Sequence, residues 1–152
     1  MQNIVLEWMI YGLLFAGLIL ETAIDIRKQK IWIPAILVEV LLLSGLNYLL
    51  GKGGMLLWIV SIGTGAVFYF ISVVTRGQIG KGDAFLFVMT GSGMGVVGNI
   101  KLIYLTFFIA FFAAAFLWLI KKTRKDYRMP LAPFVLTSFC LLMAEKLLYV
   151  FL

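Results

Sequence analysis

The sequence contains no histidine, and this absence removes several kinds of chemistry at once. A Ser-His-Asp triad, a histidine-ligated zinc site and a histidine-held haem cannot be built from it. Cysteine is nearly absent too: Cys140 is the single one, so neither a disulfide within the chain nor a cysteine-based zinc site can form. We expect Cys140, inside an apolar stretch, to be a small buried hydrophobe. No metal and no cofactor is expected.

Charge is also scarce. Only 13% of the 152 residues are charged, 63% are hydrophobic, and the mean hydropathy is +1.08, which predicts an integral membrane protein. Because a spanning helix needs about 20 mostly apolar residues, the polar breaks predict an all-α polytopic fold in a single membrane domain, residues 1–152. The six predicted spans lie near residues 4–24, 32–50, 54–75, 83–98, 100–120 and 130–151. The fourth is short, Gly-rich and almost fused to the fifth at Gly98-Asn99, so a re-entrant segment with four or five full spans is the alternative.

Lysine and arginine are unevenly distributed between the predicted connections. Ten lie in the first, third and fifth connections, whereas only Lys52 and Lys101 lie in the others. The ten are Arg27, Lys28, Lys30, Arg76, Lys81, Lys121, Lys122, Arg124, Lys125 and Arg128. Because cationic connections are retained in the cytoplasm, this pattern predicts six spans with both termini outside. Loop cations beside anionic lipid headgroups account for the net charge of +6, and nucleic acid is not an expected partner.

Seven carboxylates remain, and in hydrocarbon such groups usually mark a functional path or a paired charge. Glu7 and Glu145 lie near the outer ends of the first and last spans. We expect snorkelling or ion pairing for both, since Glu145 adjoins Lys146. Asp126 lies among loop cations. Glu39, about two turns into the second span, has either a packing or polar-network role or a catalytic one.

Asp25 and Asp83 differ from these because the predicted topology places both at the cytoplasmic face. Asp25 closes the first span just before Arg27, and Asp83 opens the fourth just after Lys81. Close carboxylates cannot both ionise cheaply, so they share a proton: one acts as general base on a water while the other polarises a scissile carbonyl. The pair therefore indicates peptide hydrolysis without a metal or a covalent intermediate.

Residues around the pair are candidates for supporting roles. Gly80 and Gly82 would allow a left-handed or unwound backbone and the close approach of a substrate chain; an interhelical turn whose aspartate caps a helix is the simpler alternative. Glu21, one turn before Asp25 on the same helix face, tunes the protonation of the pair, contacts substrate or bonds to a neighbouring helix. Lys81 either favours ionisation of the adjacent aspartate or is an ordinary loop cation.

A second Gly-rich stretch follows. Gly91-Ser92-Gly93 is similar to the serine loop of intramembrane serine proteases, but no histidine is available to activate that serine. Gly91 and Gly95 have small-xxx-small spacing. We therefore expect this stretch to mediate helix packing.

Three stretches each begin at a predicted cytoplasmic face. They are Asp25-Ile26-Arg27 with Ile31-Trp32-Ile33-Pro34; Gly80-Lys81-Gly82-Asp83; and Met129-Pro130-Leu131-Ala132-Pro133-Phe134. They resemble, in this order, the D-x-R...I-P-N, G-x-G-D and I-P-F-G-P-F motifs of the prepilin peptidases, the bacterial inner-membrane aspartic proteases of the G-x-G-D class. The resemblance extends over nearly the whole chain.

The resemblance implies that Asp25 and Asp83 are the catalytic pair. It implies removal of the short basic leader from type IV prepilin-like precursors, including those of Flp or tight-adherence pili, at the cytoplasmic face of a bacterial or archaeal membrane. Candidates for contacting substrate or adjusting the pair are Glu21, Arg27, Glu39, Pro130 and Pro133. We also expect Pro130 in the first turn of the last span.

The chain departs from the family at several points. Ala35 stands where Asn is usual, Phe85-Leu86 where Lys-Leu is common, and Ala132 where Gly is usual. It lacks the large cytoplasmic insertion with a four-cysteine zinc site that longer members carry, so their N-methyltransferase activity is not expected here.

Two other classes remain as alternatives. A small transporter or channel component would use carboxylates such as Asp25, Glu39 and Asp83 as an ion or proton path, and would stagger them in depth. A eukaryotic-type G-x-G-D protease would carry Tyr-Asp and Pro-Ala-Leu elements. Both elements are missing, since Ile24 precedes Asp25 and Leu131 follows Pro130.

Overall fold

The computed structural model describes residues 2–51, 55–74, 80–121 and 129–151, and all regular structure in these ranges is helical. The helices are α1 (Gln2–Lys28), α2 (Ile33–Leu49), α3 (Met55–Val74), α4 (Lys81–Lys121) and α5 (Ala132–Phe151). The all-α prediction is confirmed. Lys52, Arg76 and the 122–128 stretch, with its four cations and Asp126, lie outside the described residues.

Within the described ranges, three helical stretches are long and apolar enough to cross a membrane: Ile4–Lys28, Lys81–Leu119 and Ala132–Tyr149. Ile33–Leu49 and Ile59–Val74 are shorter apolar helices. Large hydrophobic side chains are exposed along the helices, among them Leu41, Phe70, Phe111, Trp118 and Leu148. An apolar outer surface of this kind is compatible with a helical membrane protein, whose lipid solvent is itself apolar. Cys140 belongs to this surface, so the prediction that it is buried is wrong.

The helix α4 folds back on itself at Gly95. That residue has φ 72° and ψ −179°, a conformation essentially restricted to glycine. The rings of Phe87 and Phe107, on opposite sides of the turn, lie 6.0 Å apart. Along a straight helix they would be about 30 Å apart. The two halves are therefore antiparallel neighbours, and the predicted fourth and fifth segments are separate, but the break lies at Gly95 and not at Gly98-Asn99.

Asn99 holds the two halves of α4 together and joins them to α3. Its Nδ2 donates to Thr64 Oγ1 at 2.6 Å and to the carbonyl of Phe87 at 2.9 Å, while its Oδ1 accepts from Thr90 Oγ1 at 2.6 Å. The side chain is fully buried. A buried amide without such partners would be costly, so this network explains why a polar residue lies here within the helix.

Glycines let α3 and α4 approach closely. The missing Cβ of Gly91 faces the backbone carbonyl of Ser61, and that of Gly65 faces Val88. Gly95, in contrast, meets no atom within 4 Å because it forms the turn. The predicted small-xxx-small packing is therefore confirmed for Gly91 and wrong for Gly95.

The buried face of α1 changes character along its length. Ile10, Leu14 and Leu18 belong to the hydrophobic core, and the same face continues with Glu21 and Asp25, which are 1% and 5% exposed. Residues spaced by three or four positions share one helix face. The helix therefore presents an apolar stripe to the core over most of its length and carboxylates at its C-terminal end.

The helices α1 and α5 are antiparallel neighbours joined at both ends. At one end Lys146 of α5 bonds to Glu7, and donates to Tyr11 Oη at 2.8 Å. At the other end the backbone N–H of Ala132 donates to Asp25 Oδ2 at 3.1 Å. Ion pairing of Glu7 is thus confirmed. Its partner Lys146 pairs across to α1 rather than with its neighbour Glu145.

Candidate active site

Four carboxylates from three helices gather at the end of the bundle where α1 ends and α4 begins. Glu21 and Asp25 come from α1, Glu39 from α2 and Asp83 from α4. Asp83 and Asp25 are close enough for their charges to interact, as are Asp25 and Glu21, and Glu21 and Glu39. The two aspartates singled out in the sequence therefore do come together from distant parts of the chain.

Asp25 lies one turn before the end of α1 and faces the start of α5. Its Oδ2 accepts the N–H of Ala132, the first residue of α5. That N–H is one of the donors that a helix N-terminus leaves unbonded, and the positive end of the helix dipole favours a carboxylate there. The third sequence stretch thus contributes a backbone donor to the first aspartate.

The prolines of that stretch bracket the donor. Because α5 begins at Ala132, Pro133 lies in its first turn, where the missing N–H of proline costs no helical hydrogen bond. Pro130 lies before the helix, so the prediction that Pro130 occupies the first turn is wrong. Ala132 is fully buried and its side chain is only a methyl group. Its polar contribution to the site is therefore the backbone N–H.

Asp83 is the third residue of α4 and follows Gly80, the residue that precedes the helix. Its carboxylate is hydrogen-bonded to the backbone of Gly80, and its own N–H donates to the Gly80 carbonyl at 3.0 Å. This is one half of a capping box: the third helical residue reaches back to the N-cap, but Gly80 has no side chain with which to make the reciprocal bond. The aspartate therefore caps its helix and interacts with Asp25 at the same time.

The two glycines of the stretch provide space rather than unusual dihedral angles. Neither Gly80 nor Gly82 has a positive φ, so the left-handed backbone is wrong, and the alternative of a turn whose aspartate caps a helix is confirmed. A Cβ on Gly80 would lie 2.8 Å from Asp83 Oδ2, and a Cβ on Gly82 would lie 2.9 Å from Cβ of Ile31. Gly80 leaves space for the carboxylate of Asp83, which folds back toward it. Gly82 leaves space for Ile31, in the connection between α1 and α2.

The two glutamates fill the interior beside the pair. Glu21 Oε2 accepts the backbone N–H of Trp32 at 3.0 Å, the residue that precedes α2. The carboxylate of Glu39 lies directly against Gly17 of α1, where a Cβ would clash with it. Glu21 Oε1 and Glu39 Oε1 are buried and have no hydrogen-bond partner among the described residues. Arg27 and Lys81 are exposed at the ends of their helices.

Three contacts of the site were not anticipated: the donors of Ala132 and Trp32, and the packing of Ile31 on Gly82. All three residues fall within the stretches that carry the family resemblance. Two act through the backbone and the third through shape, so their residue types gave no chemical signal. The sequence indicated a role for these residues only through their position within those stretches.

Two cavities lie at the opposite end of the bundle. One of about 270 Å³ is bordered by Lys101, Glu145 and Lys146, and one of about 180 Å³ by Glu7 and Asn47. Neither is bordered by any of the four clustered carboxylates. Within the described ranges, no three side chains of the metal-binding types are placed to hold a metal ion.

The fold and the site together define a class: an all-helical chain with apolar helices of membrane-spanning length and carboxylates from separate helices gathered at one end. No protein-family model, no curated protein and no solved structure matches this chain.

Proposed function

We propose that this protein is an aspartic endopeptidase in which Asp25 and Asp83 form the catalytic pair. The observation that carries the proposal is the interaction of these two carboxylates, supplied by α1 and α4. Two interacting carboxylates do not both ionise readily, and when one is protonated and the other is not, the two groups have different tasks. The ionised aspartate takes a proton from water, and the protonated one donates a hydrogen bond to the carbonyl oxygen of the scissile bond.

The substrate is a type IV prepilin-like precursor, including those of Flp type, from which the enzyme removes the basic leader. The resemblance of the three sequence stretches supports this assignment, since the residues of each stretch take part in the cluster. The chain crosses a bacterial or archaeal cytoplasmic membrane six times with both ends outside. The cations at the end of α1 and the start of α4 support an active site at the cytoplasmic face.

A basic leader arriving at this face meets cations of the same sign. Anionic lipid headgroups offset that repulsion. We therefore expect cleavage to be faster in vesicles that contain anionic lipid than in vesicles of zwitterionic lipid alone.

The test is cleavage of candidate precursors from the same genome by the purified protein, followed by mass spectrometry. Asp25→Asn and Asp83→Asn should each lower the rate by at least about 100-fold, the usual contribution of a general acid or base. Glu145→Gln is the matched control, because Glu145 is exposed and borders a cavity at the other end. Cleavage at the normal rate by either asparagine variant would show that the pair is not catalytic. With S-adenosylmethionine added, we expect no gain in mass of the product.

A transporter component is the second candidate, and one observation favours it. The carboxylates are not confined to one level, since Glu39 lies against Gly17, two turns deeper along α1 than Asp25. A buried series of this kind is also suited to moving protons. In sealed vesicles, a transporter would dissipate a proton or ion gradient. The peptidase would cleave precursor equally well in the presence and in the absence of a gradient.

A further inference from the structure

Glu21 is the least exposed ionisable side chain in the described part of the chain, at 1% exposure, and it bonds to a segment that contacts the residue before Asp83. We propose that Glu21 is a positioning residue: by bonding Trp32, it fixes the connection between α1 and α2 and so keeps Asp83 beside Asp25. This proposal rests on the proposed function only where activity is measured. The structural measurement described below does not depend on peptidase activity.

The connection folds back toward α1 immediately after the helix ends. Gln29 adopts a left-handed backbone, with φ 49°, and its N–H still bonds to the carbonyl of Asp25 at 2.8 Å. The reversal brings the N–H of Trp32 to Glu21, eleven residues earlier, at 3.0 Å. Trp32 precedes α2 and makes no side-chain cap. The hydrogen bond from the Trp32 N–H to Glu21 therefore connects this turn to the interior of the bundle.

Ile31, the residue before Trp32, carries the effect to α4. Its side chain is packed against the hydrophobic core and against Gly82, where a Cβ would lie 2.9 to 3.2 Å from three atoms of Ile31. Such a fit leaves no room for the isoleucine to shift toward α4. Because Ile31 adjoins Trp32, its location depends on where the Trp32 backbone is held.

Gly82 is the residue immediately before Asp83, in the first turn of α4. This turn is fixed on one side by the bonds between Asp83 and Gly80, and on the other by Ile31. Loss of the Ile31 contact would free the turn to move relative to α1. A displacement of about 1 Å is enough to cost on the order of 100-fold in rate where two groups must act together.

Glutamine separates the geometric role of Glu21 from its charge. The side-chain oxygen of Glu21→Gln can still accept the Trp32 N–H, but the variant cannot ionise beside Asp25. Glu21→Leu loses both. If the role is positional, Glu21→Gln should retain most of the activity that Glu21→Leu loses. If the role is electrostatic, both variants should lose it equally.

The structural readout is the distance between spin labels at Ile26 and Lys81, introduced as cysteines in a Cys140→Ala chain. Both positions are exposed, and they lie beside the two aspartates without belonging to the pair. We expect one narrow distance distribution for the parent and for Glu21→Gln, and a broadened or shifted one for Glu21→Leu. An unchanged distribution in Glu21→Leu would overturn the proposal, whether or not any variant cleaves a precursor.

A second pair of variants tests the same bond from the other partner and covers the case in which Glu21→Leu fails to fold. Trp32→Pro removes the N–H donor, and Trp32→Ala keeps it while removing the same side chain. We expect Trp32→Pro to broaden the distribution and to lower kcat roughly 10- to 100-fold at little changed KM. Trp32→Ala should keep the narrow distribution. If Trp32→Ala broadens it as much as Trp32→Pro, the indole and not the bond is responsible, and the proposal is wrong.

If the distances behave as expected and the parent cleaves nothing, the proposed peptidase function fails and the positioning bond remains.

Discussion

Gly82 is the residue of the cluster at which added bulk should have the clearest effect. A Cβ there would lie 2.9 Å from Cβ of Ile31, closer than carbon atoms can remain without a shift. We predict that Gly82→Ala destabilises the protein by about 1–3 kcal/mol and slows precursor cleavage. Ile31→Ala in the same chain should restore part of both. Unfolding in detergent and the cleavage rate are the measurements.

Gly45→Ala is the matched control for that prediction. Gly45 is exposed in the middle of α2, and a Cβ there would meet no atom within 4 Å. Because alanine is the better helix former, we expect the control to be neutral or slightly stabilising, by up to about 1 kcal/mol. A failure of Ile31→Ala to compensate for Gly82→Ala would mean that crowding between these two residues is not the cause.

Asp25 has a structural bond that can be separated from its proposed chemistry. In Asp25→Asn the amide oxygen can still accept the Ala132 N–H, whereas Asp25→Leu leaves that buried donor unpaired. We predict that Asp25→Leu lowers the free energy of unfolding by about 1–3 kcal/mol and that Asp25→Asn changes it much less. Both should be inactive in cleavage. Equal stability of the two variants would argue against a bond of this importance.

At the scale of the helices, the turn within α4 depends on one residue. Gly95 has φ 72° and ψ −179°, so any residue with a Cβ is strained there even though the surrounding space is open. We predict that Gly95→Ala costs about 1–3 kcal/mol. Gly63→Ala in α3, whose added Cβ also meets nothing within 4 Å, should not be destabilising. Thermal unfolding of the two purified variants checks this, and equal midpoints would contradict it.

The sequence predicted most of the helices and the end of the bundle at which the aspartates meet, because both follow from apolar length and from the placement of charge. It did not locate the break in α4. Gly95 and Gly98-Asn99 are both plausible turn sequences, and the choice depends on the bonds that Asn99 makes to α3 and to the first half of α4. Those bonds join residues from separate helices, so no local pattern encodes them.

The same limit applies to the site. The glycines between Gly80 and Asp83 were predicted to allow a left-handed or unwound backbone, whereas they leave room for a carboxylate and for Ile31. The partner of Asp25 could not be read from the sequence, since a backbone N–H carries no residue-type signal. The residue types indicated which side chains can take part in acid–base chemistry. The contacts that position those side chains could be seen only in the folded structure.

At the scale of the whole molecule, the bond between Glu7 and Lys146 brings the first and last helices together at one end. We predict that both ends of the chain lie on the same, outer side of the membrane. Single cysteines at Ile4 and Tyr149, in a Cys140→Ala chain, should react with a membrane-impermeant maleimide in intact cells. A cysteine at Lys30 should react only after the cells are opened. Labelling of Ile4→Cys and Tyr149→Cys from opposite sides would refute this arrangement.

The bond between Ala132 and Asp25 also has a consequence for the order of synthesis. A ribosome delivers α1 and α4, with both aspartates, before it delivers α5. Until α5 enters the membrane and turns its first N–H toward α1, Asp25 has no such donor. A growing chain would therefore hold both aspartates before it holds the donor to Asp25, and in the proposed peptidase the site would be finished only as the final helix joins its neighbours.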